Sequence, residues 1–304
     1  MSNRYYIGGS DVAAACGMNK FQSRLQLYRE KLGLVPAFAG NDATYWGTEL
    51  EPFLRRHASK HLGIKFRQSH KQWHHPQHAW AVAHIDGISK NAGLECKLTS
   101  YRNKKRFAET GTTINTPEDG LPVHYYCQCQ WYMLIVGKPI WHVCVGIAGE
   151  NEIRLMAVPF NAEFANELLR KAGIFWQEHV LAEFEPEIEF LIDANEEFKN
   201  VLRDSVTIPH NMVDVITEFR KAKLASKANA ERLSSLEAKI KTAMKDAAAL
   251  VNESGDVLAT WRESKRNSVD LPALRTAHPE LIKKYTRASS SRVFKFLEND
   301  EGRD

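Results

Sequence analysis

A glutamate and a lysine that could do chemistry together stand two residues apart, as Glu95 and Lys97, in the stretch GLECKLTS. Apolar residues alternate with them, and this alternation predicts a β-strand with one buried face. Side chains at positions i and i+2 of a strand project to the same side, so the carboxylate and the ammonium group share one face. The pair is either an exposed surface ion pair or part of a functional site.

A second carboxylate, Asp86, stands before Gly87 in the turn between this strand and a preceding strand predicted over AWAVAHIDGIS. If the two strands pair as a hairpin, Asp86 lies at the same end as Glu95. Two neighbouring carboxylates repel, so they need a cation to be ionised together, and oxygen ligands suit Mg²⁺ or Mn²⁺. Lys97 could then hold a water nucleophile and stabilise charge on a phosphate. These residues predict a phosphodiester-cleaving site; an ordinary Asp-Gly turn and a solvated ion pair are the simpler alternatives.

Helical and strand patterns alternate around these residues. Three helices precede them: a short one with Ser10 or Asp11 as its N-cap, a second that ends at Gly33, and a third with Pro52 in its first turn. A fourth helix, a second strand pair and a long helix follow, in this order: PVHYYCQCQWYMLIVG, PIWHVCVGIAG, EIRLMAVPF and NAEFANELLRKAGIFWQEHVLAEF. This order predicts helices packed on a small mixed sheet, an α+β or α/β core.

A change of composition near residue 205 predicts two domains, 1–205 and 206–304. An amphipathic helix is predicted from Val213 to Val251, which either packs on its own domain or forms an intermolecular coiled-coil arm. Three segments follow it: an apolar run, a helical stretch and a strand-like alternation, in GDVLATWRESKR, LPALRTAHPELIKKY and SRVFKFLE. We expect this tail to be a small αβ appendage.

The composition of the 304 residues, with 43% hydrophobic and 26% charged residues, is typical of a soluble globular protein. No apolar run is long enough for a membrane span, and the first residues lack the apolar core of a secretory signal. Five cysteines, an odd number, indicate reduced intracellular thiols. A net charge of +4 permits a nucleic-acid partner without requiring one. Neither the four histidines of HKQWHHPQH nor the pair Cys127 and Cys129 has the spacing of a zinc or iron–sulfur site.

Four stretches, in the expected order, resemble the nuclease family of the phage lambda exonuclease and the YqaJ-like viral recombinases, within the PD-(D/E)xK superfamily. They cover roughly residues 1–200, and Ile85 departs from the proline that many members have before the aspartate. The first stretch is an opening Ile-Gly-Gly-Ser-Asp helix with the helix after it, in IGGSDVAAACGMNKFQSRLQLYREKLG, and the second is a Gly-x-x-x-Glu-Pro helix, in WGTELEPFLRR. The third is the pair of Asp and Glu-x-Lys strands, in AHIDGIS…GLECKL, and the fourth is a Pro-x-x-Tyr-x-x-Gln-x-Gln helix, in LPVHYYCQCQWYMLIVG. The resemblance implies a restriction-endonuclease-like core, a small mixed sheet flanked by helices, followed by the C-terminal appendage.

The resemblance also implies roles for individual residues. Asp86, Glu95 and the backbone carbonyl of Cys96 would be metal ligands, with Glu51 as an additional carboxylate. Lys97 would position and activate the attacking water, and Gln128 would bind the water or the scissile phosphate. Ser10 and Arg4 would hold a 5′-terminal phosphate near a helix N-terminus. The basic run after the strand would bind DNA phosphates, and it contains Arg102, Lys104, Lys105 and Arg106.

The activity that this family resemblance implies is a Mg²⁺-dependent 5′→3′ exonuclease, with Mn²⁺ able to substitute. It would act on linear double-stranded DNA ends and leave 3′ overhangs for a single-strand annealing protein in phage-type recombination. A trimeric ring in the cytoplasm of the bacterial host cell is the expected form. Two alternatives stay open: a structure- or site-specific endonuclease on the same core, and a non-catalytic DNA-end-binding scaffold.

Overall fold

The computed structural model describes residues 6–36, 39–202, 205–207, 209–265, 268–287 and 291–296. Arg4 lies outside these residues, so its predicted role has no structural counterpart here. The chain divides into two compact units, 1–198 and 199–304. The boundary between the units lies slightly before the domain boundary predicted from composition.

The first unit contains six α-helices, six β-strands and shorter helical turns among its described residues. The α-helices are α1 Val12–Ala15, α2 Arg24–Leu32, α3 Asp42–Leu62, α4 Val123–Val136, α5 Ala162–Phe175 and α6 Leu191–Glu197. The strands are β1 Trp73–His74, β2 Val82–Ala83, β3 Gly87–Ile88, β4 Gly93–Ser100, β5 Ile140–Ala148 and β6 Glu152–Pro159. The 3₁₀ turns are Tyr101–Arg106 and Pro117–Asp119, and a π-helical turn Trp176–Leu181 continues α5.

A four-stranded mixed sheet in the order β3-β4-β5-β6 forms the centre of this unit. The pair β3 and β4 is antiparallel, with Gly87 opposite Leu94, and β5 and β6 are also antiparallel. Strands β4 and β5 are parallel, with Glu95 opposite Val143, and α4 forms part of the crossover between them. A parallel connection needs such a crossover because both strands must start at the same edge. The small mixed sheet flanked by helices is thus confirmed.

Both faces of the sheet are covered. On one face, Leu94 of β4 and Cys144 of β5 pack with Leu54 and Ala58 of α3. On the other face, Val143 and the alternate residues of β5 belong to a larger core that includes residues of α1, α2, α4 and α5. Since successive side chains of a strand point to opposite faces, Glu95 and Lys97 project into the α4 side. The prediction of a strand with only one buried face was wrong.

Several helix ends follow the predicted chemistry. Helix α2 starts with a capping box of Ser23 and Gln26 and ends at Gly33, whose φ of 69° is left-handed. Helix α4 ends in the same way at Gly137, with a φ of 71°. Glycine adopts this conformation without the steric cost of a Cβ. Both predicted glycine stops are confirmed.

Two local predictions for the first unit were wrong, and a third was right in position only. Pro52 lies inside α3 and not in its first turn, because Asn41 caps the helix much earlier by accepting a hydrogen bond from the Thr44 N–H at 3.0 Å. The strand expected over AWAVAHIDGIS is divided into β2 and β3, which belong to different sheets. The N-cap of α1 is Asp11, one of the two predicted residues, although its side chain makes no cap bond: its Oδ2 accepts from the Gly8 N–H at 2.9 Å and from Lys31 Nζ at 2.7 Å.

The second unit contains α7 Val213–Met244, the antiparallel strand pair β7 Ala249–Val251 and β8 Val257–Thr260, α8 Leu271–Ala277 and α9 Pro279–Tyr285. The long helix ends before Val251, which belongs to β7, because Lys245 adopts a φ of 52°. Pro279 separates the single helix expected over LPALRTAHPELIKKY into α8 and α9. Residues 291–296 of the strand-like SRVFKFLE form no strand, and its last two residues lie outside the described ones.

None of the helices in the described part of the chain is both long and apolar enough to cross a membrane.

Candidate active site

Glu95 and Lys97 form a buried ion pair on β4. The Lys97 Nζ lies 2.5 Å from Glu95 Oε1, and the two side chains are 20% and 3% exposed. The Lys97 ammonium group also lies 4.8 Å from the ring centroid of Tyr125, at the start of α4. An exposed surface pair is excluded by this burial. A carboxylate so far removed from water must be compensated by specific partners.

The helix α4 supplies the second partner of Glu95. The Gln128 Nε2 donates to Glu95 Oε1 at 2.8 Å and to the Tyr132 hydroxyl at 2.8 Å. Both amide hydrogens of Gln128 are therefore used within the protein, and only its carbonyl oxygen remains for a water molecule. Tyr132 in turn packs directly on Gly9, where a Cβ would lie 2.3 Å from the tyrosine ring. A continuous contact thus runs from the N-terminal loop to Glu95.

Asp86 lies where the hairpin register places it, next to β4. Its Oδ2 accepts a hydrogen bond from the Cys96 N–H at 2.7 Å. The backbone of Cys96 therefore meets the carboxylate through its amide group, while the predicted role of its carbonyl as a metal ligand stays a prediction. The expectation that the pairing of the two strands brings Asp86 close to Glu95 holds.

The helix α3 brings Glu51 to the same region through Arg55, one turn further along. The Arg55 Nη1 donates to Glu51 Oε1 at 2.6 Å and to the Asp86 carbonyl oxygen at 2.7 Å. Its Nη2 donates to Gln68 Oε1 at 3.2 Å. Arg55 is only 8% exposed, so these charge-assisted bonds are protected from water. They tie α3 to the turn that carries Asp86.

The charges of these groups shift one another's pKa. Burial, and then the neighbouring charge of Glu95, raises the pKa of Asp86 well above its usual value. Burial also raises the pKa of Glu95, although the Lys97 ammonium group opposes this. For Lys97, burial lowers the pKa, but the carboxylates of Glu95 and Asp86 outweigh it and the net shift is upward. Lys97 therefore stays protonated at neutral pH and acts as a hydrogen-bond donor and a charge, not as a base.

The oxygen donors fit a hard divalent cation. Glu95 Oε2 is buried and has no hydrogen-bond partner among the residues that the structure describes. Asp86 and Glu51 add carboxylate oxygens, which are the ligand type that Mg²⁺ prefers. Within the described ranges, however, no three histidine, cysteine, aspartate or glutamate side chains come close enough together to hold a metal ion. Arg55 and Lys97 at present hold the carboxylates of Glu51 and Glu95.

An apolar groove lies on the other face of β4. It has a volume of about 780 Å³ and is lined by residues of α3, β4 and the β5–β6 turn, among them Trp46, Phe53 and Leu98. Leu98 and Lys97 are consecutive residues of a strand, so their side chains point to opposite faces. Leu98 therefore faces the groove, while Lys97 faces the α4 side.

The remaining predicted residues are not joined to this cluster by any described bond. Ser10 is exposed, and its hydroxyl lies 3.5 Å from Asp11 Oδ1. Lys104 is paired with Glu150 at 2.5 Å and with Glu152 at 2.6 Å. The other basic residues of the 3₁₀ turn, Arg102, Lys105 and Arg106, are exposed. Of the four basic residues in this turn, these three are the exposed ones.

Sequence reasoning missed Arg55 and Tyr132. A signal existed for each: Arg55 follows Glu51 by four residues, and Tyr132 follows Gln128 by four, which is the spacing of neighbours on one side of a helix. No signal in the sequence indicated that Gly9 packs on Tyr132, because that contact joins segments far apart in the chain.

Comparison with known proteins shows what the chain is similar to. Residues 2–139 match the model of the YqaJ-like viral recombinase domain. The chain is 26% identical over 305 residues to the uncharacterized protein YqaJ of Bacillus subtilis strain 168, covering 97% of this chain and 92% of that protein.

Two similar solved structures are exonucleases. The alkaline exonuclease LHK-Exo of Laribacter hongkongensis is 20% identical with a TM-score of 0.48, over 60% of this chain and 90% of that one. A phage related exonuclease of Haemophilus somnus 129PT is 12% identical with a TM-score of 0.46, over 59% of this chain and 96% of that one. The match over residues 2–139 makes this part of the chain similar to the YqaJ-like viral recombinase domain, the family that the four sequence stretches resemble.

Proposed function

We propose that the protein is a Mg²⁺-dependent exonuclease that degrades the 5′-ended strand of linear double-stranded DNA and leaves 3′ overhangs. The observation that carries the proposal is the buried pair of Glu95 and Lys97, with one carboxylate oxygen of Glu95 left without a hydrogen-bond partner in the described structure. A structural ion pair would satisfy both oxygens, because an unsatisfied buried acceptor is costly. A site that binds a cation and a phosphate has a use for the free oxygen.

Asp86, Glu95 and Glu51 would hold the cation, with the carbonyl oxygen of Cys96 as a further ligand. Mg²⁺, or Mn²⁺ in its place, would supply Lewis-acid stabilisation of the negative charge that develops at the scissile phosphate. The donor types favour these ions over zinc, since they are all oxygen.

The chain's own residues would orient the reactants. The protonated Lys97 would donate hydrogen bonds to the attacking water and to a phosphate oxygen. Gln128 would fix Glu95 by donating an amide hydrogen to it, and the Gln128 carbonyl oxygen could accept a hydrogen bond from the water. Arg55 would hold Glu51 and the Asp86 backbone in place.

Three finer statements of the proposal rest on the family alone. They are the 5′→3′ direction, a single-strand annealing protein as the partner that receives the 3′ overhang, and a trimeric ring around DNA. Ser10 and the exposed Arg102, Lys105 and Arg106 are the described residues that would contact DNA phosphates, with Ser10 at the 5′ end.

The test uses linear duplex DNA with a different label at each 5′ and 3′ end, beside closed circular DNA, with Mg²⁺ or EDTA. We expect Mg²⁺-dependent loss of the 5′ label from linear DNA only. The Lys97→Ala variant should lose this activity, and an Arg170→Ala variant, which removes a cation from an exposed ion pair with Glu167 on α5, should keep it.

Each other result has a meaning. Cleavage of circles would assign the site to an endonuclease, and loss of the 3′ label first would reverse the polarity. DNA binding without cleavage in any divalent cation would refute the nuclease proposal and leave a DNA-end-binding scaffold.

A further inference from the structure

A row of aromatic rings leads away from Lys97 along the surface. We call Phe21, His124 and Tyr125 the aromatic ledge. The Lys97 Nζ lies 4.8 Å from the Tyr125 ring centroid, and the Tyr125 and His124 centroids are 4.0 Å apart. The ring of Phe21 follows at 5.5 Å from that of His124, with an angle of 88° between their planes. The ledge therefore starts at the candidate active site and ends in solvent.

The phenyl ring at the outer end of the ledge is unusually exposed for an apolar side chain. Phe21 is 63% exposed, whereas His124 and Tyr125 are half-buried. Phe21 stands in the loop before α2, and the two other rings belong to the first turn of α4. A single exposed apolar ring is common on protein surfaces. Here it is the end of a continuous series of rings that begins at the catalytic lysine, and this continuity is what requires an explanation.

Positive charge flanks the ledge from two further elements. The Lys20 Nζ lies 5.1 Å from the Phe21 ring centroid, and Arg106 ends the 3₁₀ turn after β4. Both side chains are exposed. Burial, assisted by the charges of Lys97, Lys20 and Arg106, lowers the pKa of His124 to about 4. The imidazole is thus an uncharged aromatic ring at neutral pH, with the exposed cations of Lys20 and Arg106 near it.

Exposed aromatic rings with cations beside them are the means by which proteins hold single-stranded nucleic acid: bases stack on the rings and the cations meet the phosphates. Paired bases within a duplex stack on one another and present no free face to a ring. We propose that the aromatic ledge binds unpaired nucleotides of the DNA end next to the cleaved bond, with a base on Phe21 and phosphates at Lys20 and Arg106. The proposal rests on the proposed function in one respect, namely that Lys97 marks the site of cleavage.

The test follows stacking directly, without cleavage. The probe is a short duplex that ends in two unpaired nucleotides, each replaced in turn by 2-aminopurine, whose fluorescence is quenched when it stacks. The full-length protein is titrated in Ca²⁺ without Mg²⁺, with the DNA shown on a gel to stay intact. Closed circular duplex, which has no end, serves as the second ligand.

Three variants separate stacking from other effects. Phe21→Leu keeps an apolar side chain but removes the ring, and Phe21→Trp restores a ring. Phe184→Leu is the matched control, because Phe184 is 68% exposed and also lies beside a histidine ring, that of His179 at 6.3 Å.

For the wild type, Phe21→Trp and Phe184→Leu, we expect quenching at one of the unpaired positions. For Phe21→Leu we expect the quenching to be lost and the affinity for the unpaired end to fall roughly 5- to 150-fold, with little change for circular duplex. Unchanged quenching in Phe21→Leu would overturn the proposal, and so would an equal loss for both ligands. An equal loss in Phe21→Leu and Phe21→Trp would assign Phe21 a structural role and also overturn it.

Failure of this proposal and failure of the nuclease proposal look different. Cleavage in Mg²⁺ with no effect of Phe21→Leu on quenching would refute the binding role of the aromatic ledge and support the nuclease proposal. Quenching that depends on the Phe21 ring, in a protein that cleaves no DNA, would refute the nuclease proposal and support the aromatic ledge as a site that binds DNA ends.

Discussion

Replacing Lys97 by methionine should reveal how much of the protein's stability depends on compensating the buried carboxylates. Methionine keeps most of the length and apolar character of the lysine side chain but removes its charge. In the native protein Lys97 Nζ is 2.5 Å from Glu95 Oε1, and Glu95 is only 3% exposed. Without the ammonium group, the buried Glu95 and the half-buried Asp86 would have one compensating charge fewer.

The size of the effect follows from this burial. Breaking a buried ion pair by removal of one partner costs about 3–5 kcal/mol, because the remaining charge is left uncompensated. Taking up a proton relieves part of this cost, since the pKa of Glu95 is already raised by its burial. A raised folded-state pKa gives stability that is present below the unfolded value and lost as the pH rises. The deficit of the variant should therefore be largest at alkaline pH and shrink as the pH falls toward the unfolded glutamate value of about 4.3.

The assay is urea unfolding followed by circular dichroism at several pH values. EDTA in every sample keeps divalent cations from replacing the lost charge. The double variant Lys97→Met/Glu95→Gln should recover most of the loss, because it removes the charge that Lys97 compensates. Lys104→Met is the matched control, as it removes a lysine from an exposed pair with Glu150 and Glu152, and its midpoint should stay near that of the wild type.

A loss below about 1 kcal/mol for Lys97→Met would refute the reasoning, because that is the range of solvent-screened surface pairs. A double variant no more stable than the single variant would also contradict it. In that case the carboxylate would not be the source of the instability.

Three further outcomes are expected. Gly9→Ala should destabilise the protein by about 1–3 kcal/mol in urea unfolding and reduce cleavage, because its Cβ would lie 2.3 Å from the Tyr132 ring. The control Gly47→Ala, whose Cβ would meet no atom within 4 Å, should be neutral or stabilising. Arg55→Met should lower the rate of DNA cleavage about 10- to 100-fold without unfolding the protein, because it removes the hydrogen bond that holds the Asp86 carbonyl oxygen before β3. An unchanged rate would show that the Arg55 guanidinium has no positioning role. The wild type should lose stability as the pH falls from about 6.5 to about 4, because in this range the unfolded chain protonates His124 and the folded protein, with its lowered pKa, does not. His124→Gln should lose less stability over the same range in urea unfolding. Parallel urea midpoints for the two proteins across this range would contradict the lowered pKa of His124.

Much of the fold followed from local patterns. The glycines after α2 and α4 end these helices because only glycine adopts a left-handed backbone freely. The alternation in GLECKLTS placed Glu95 and Lys97 on one face of a strand, and the hairpin register carried Asp86 to their side. Pro52 was misplaced because the stronger start signal, Asn41, lies ten residues before Glu51 and initiates α3 well ahead of the proline.

Burial was the property that local patterns did not predict. Alternating apolar residues indicate that one face of a strand is covered, but they do not tell whether the other face is also covered. The strand pattern left open whether Glu95 is exposed or part of a site, and only the packing of α4 over β4 makes it 3% exposed. The bonds of Gln128, Tyr132 and Arg55 arise in the same way, from helices placed on the two sides of one strand.

The sequence by itself determined which groups are available: three carboxylates, a lysine and an amide, in the order and spacing of a nuclease family. The tertiary structure decided what these groups do to one another. It removed Glu95 from water, placed Lys97 beside it and used both amide hydrogens of Gln128 within the protein. The reason is physical, because local patterns arise from backbone geometry within a few residues, whereas burial and charge compensation depend on segments that meet only after the chain has folded.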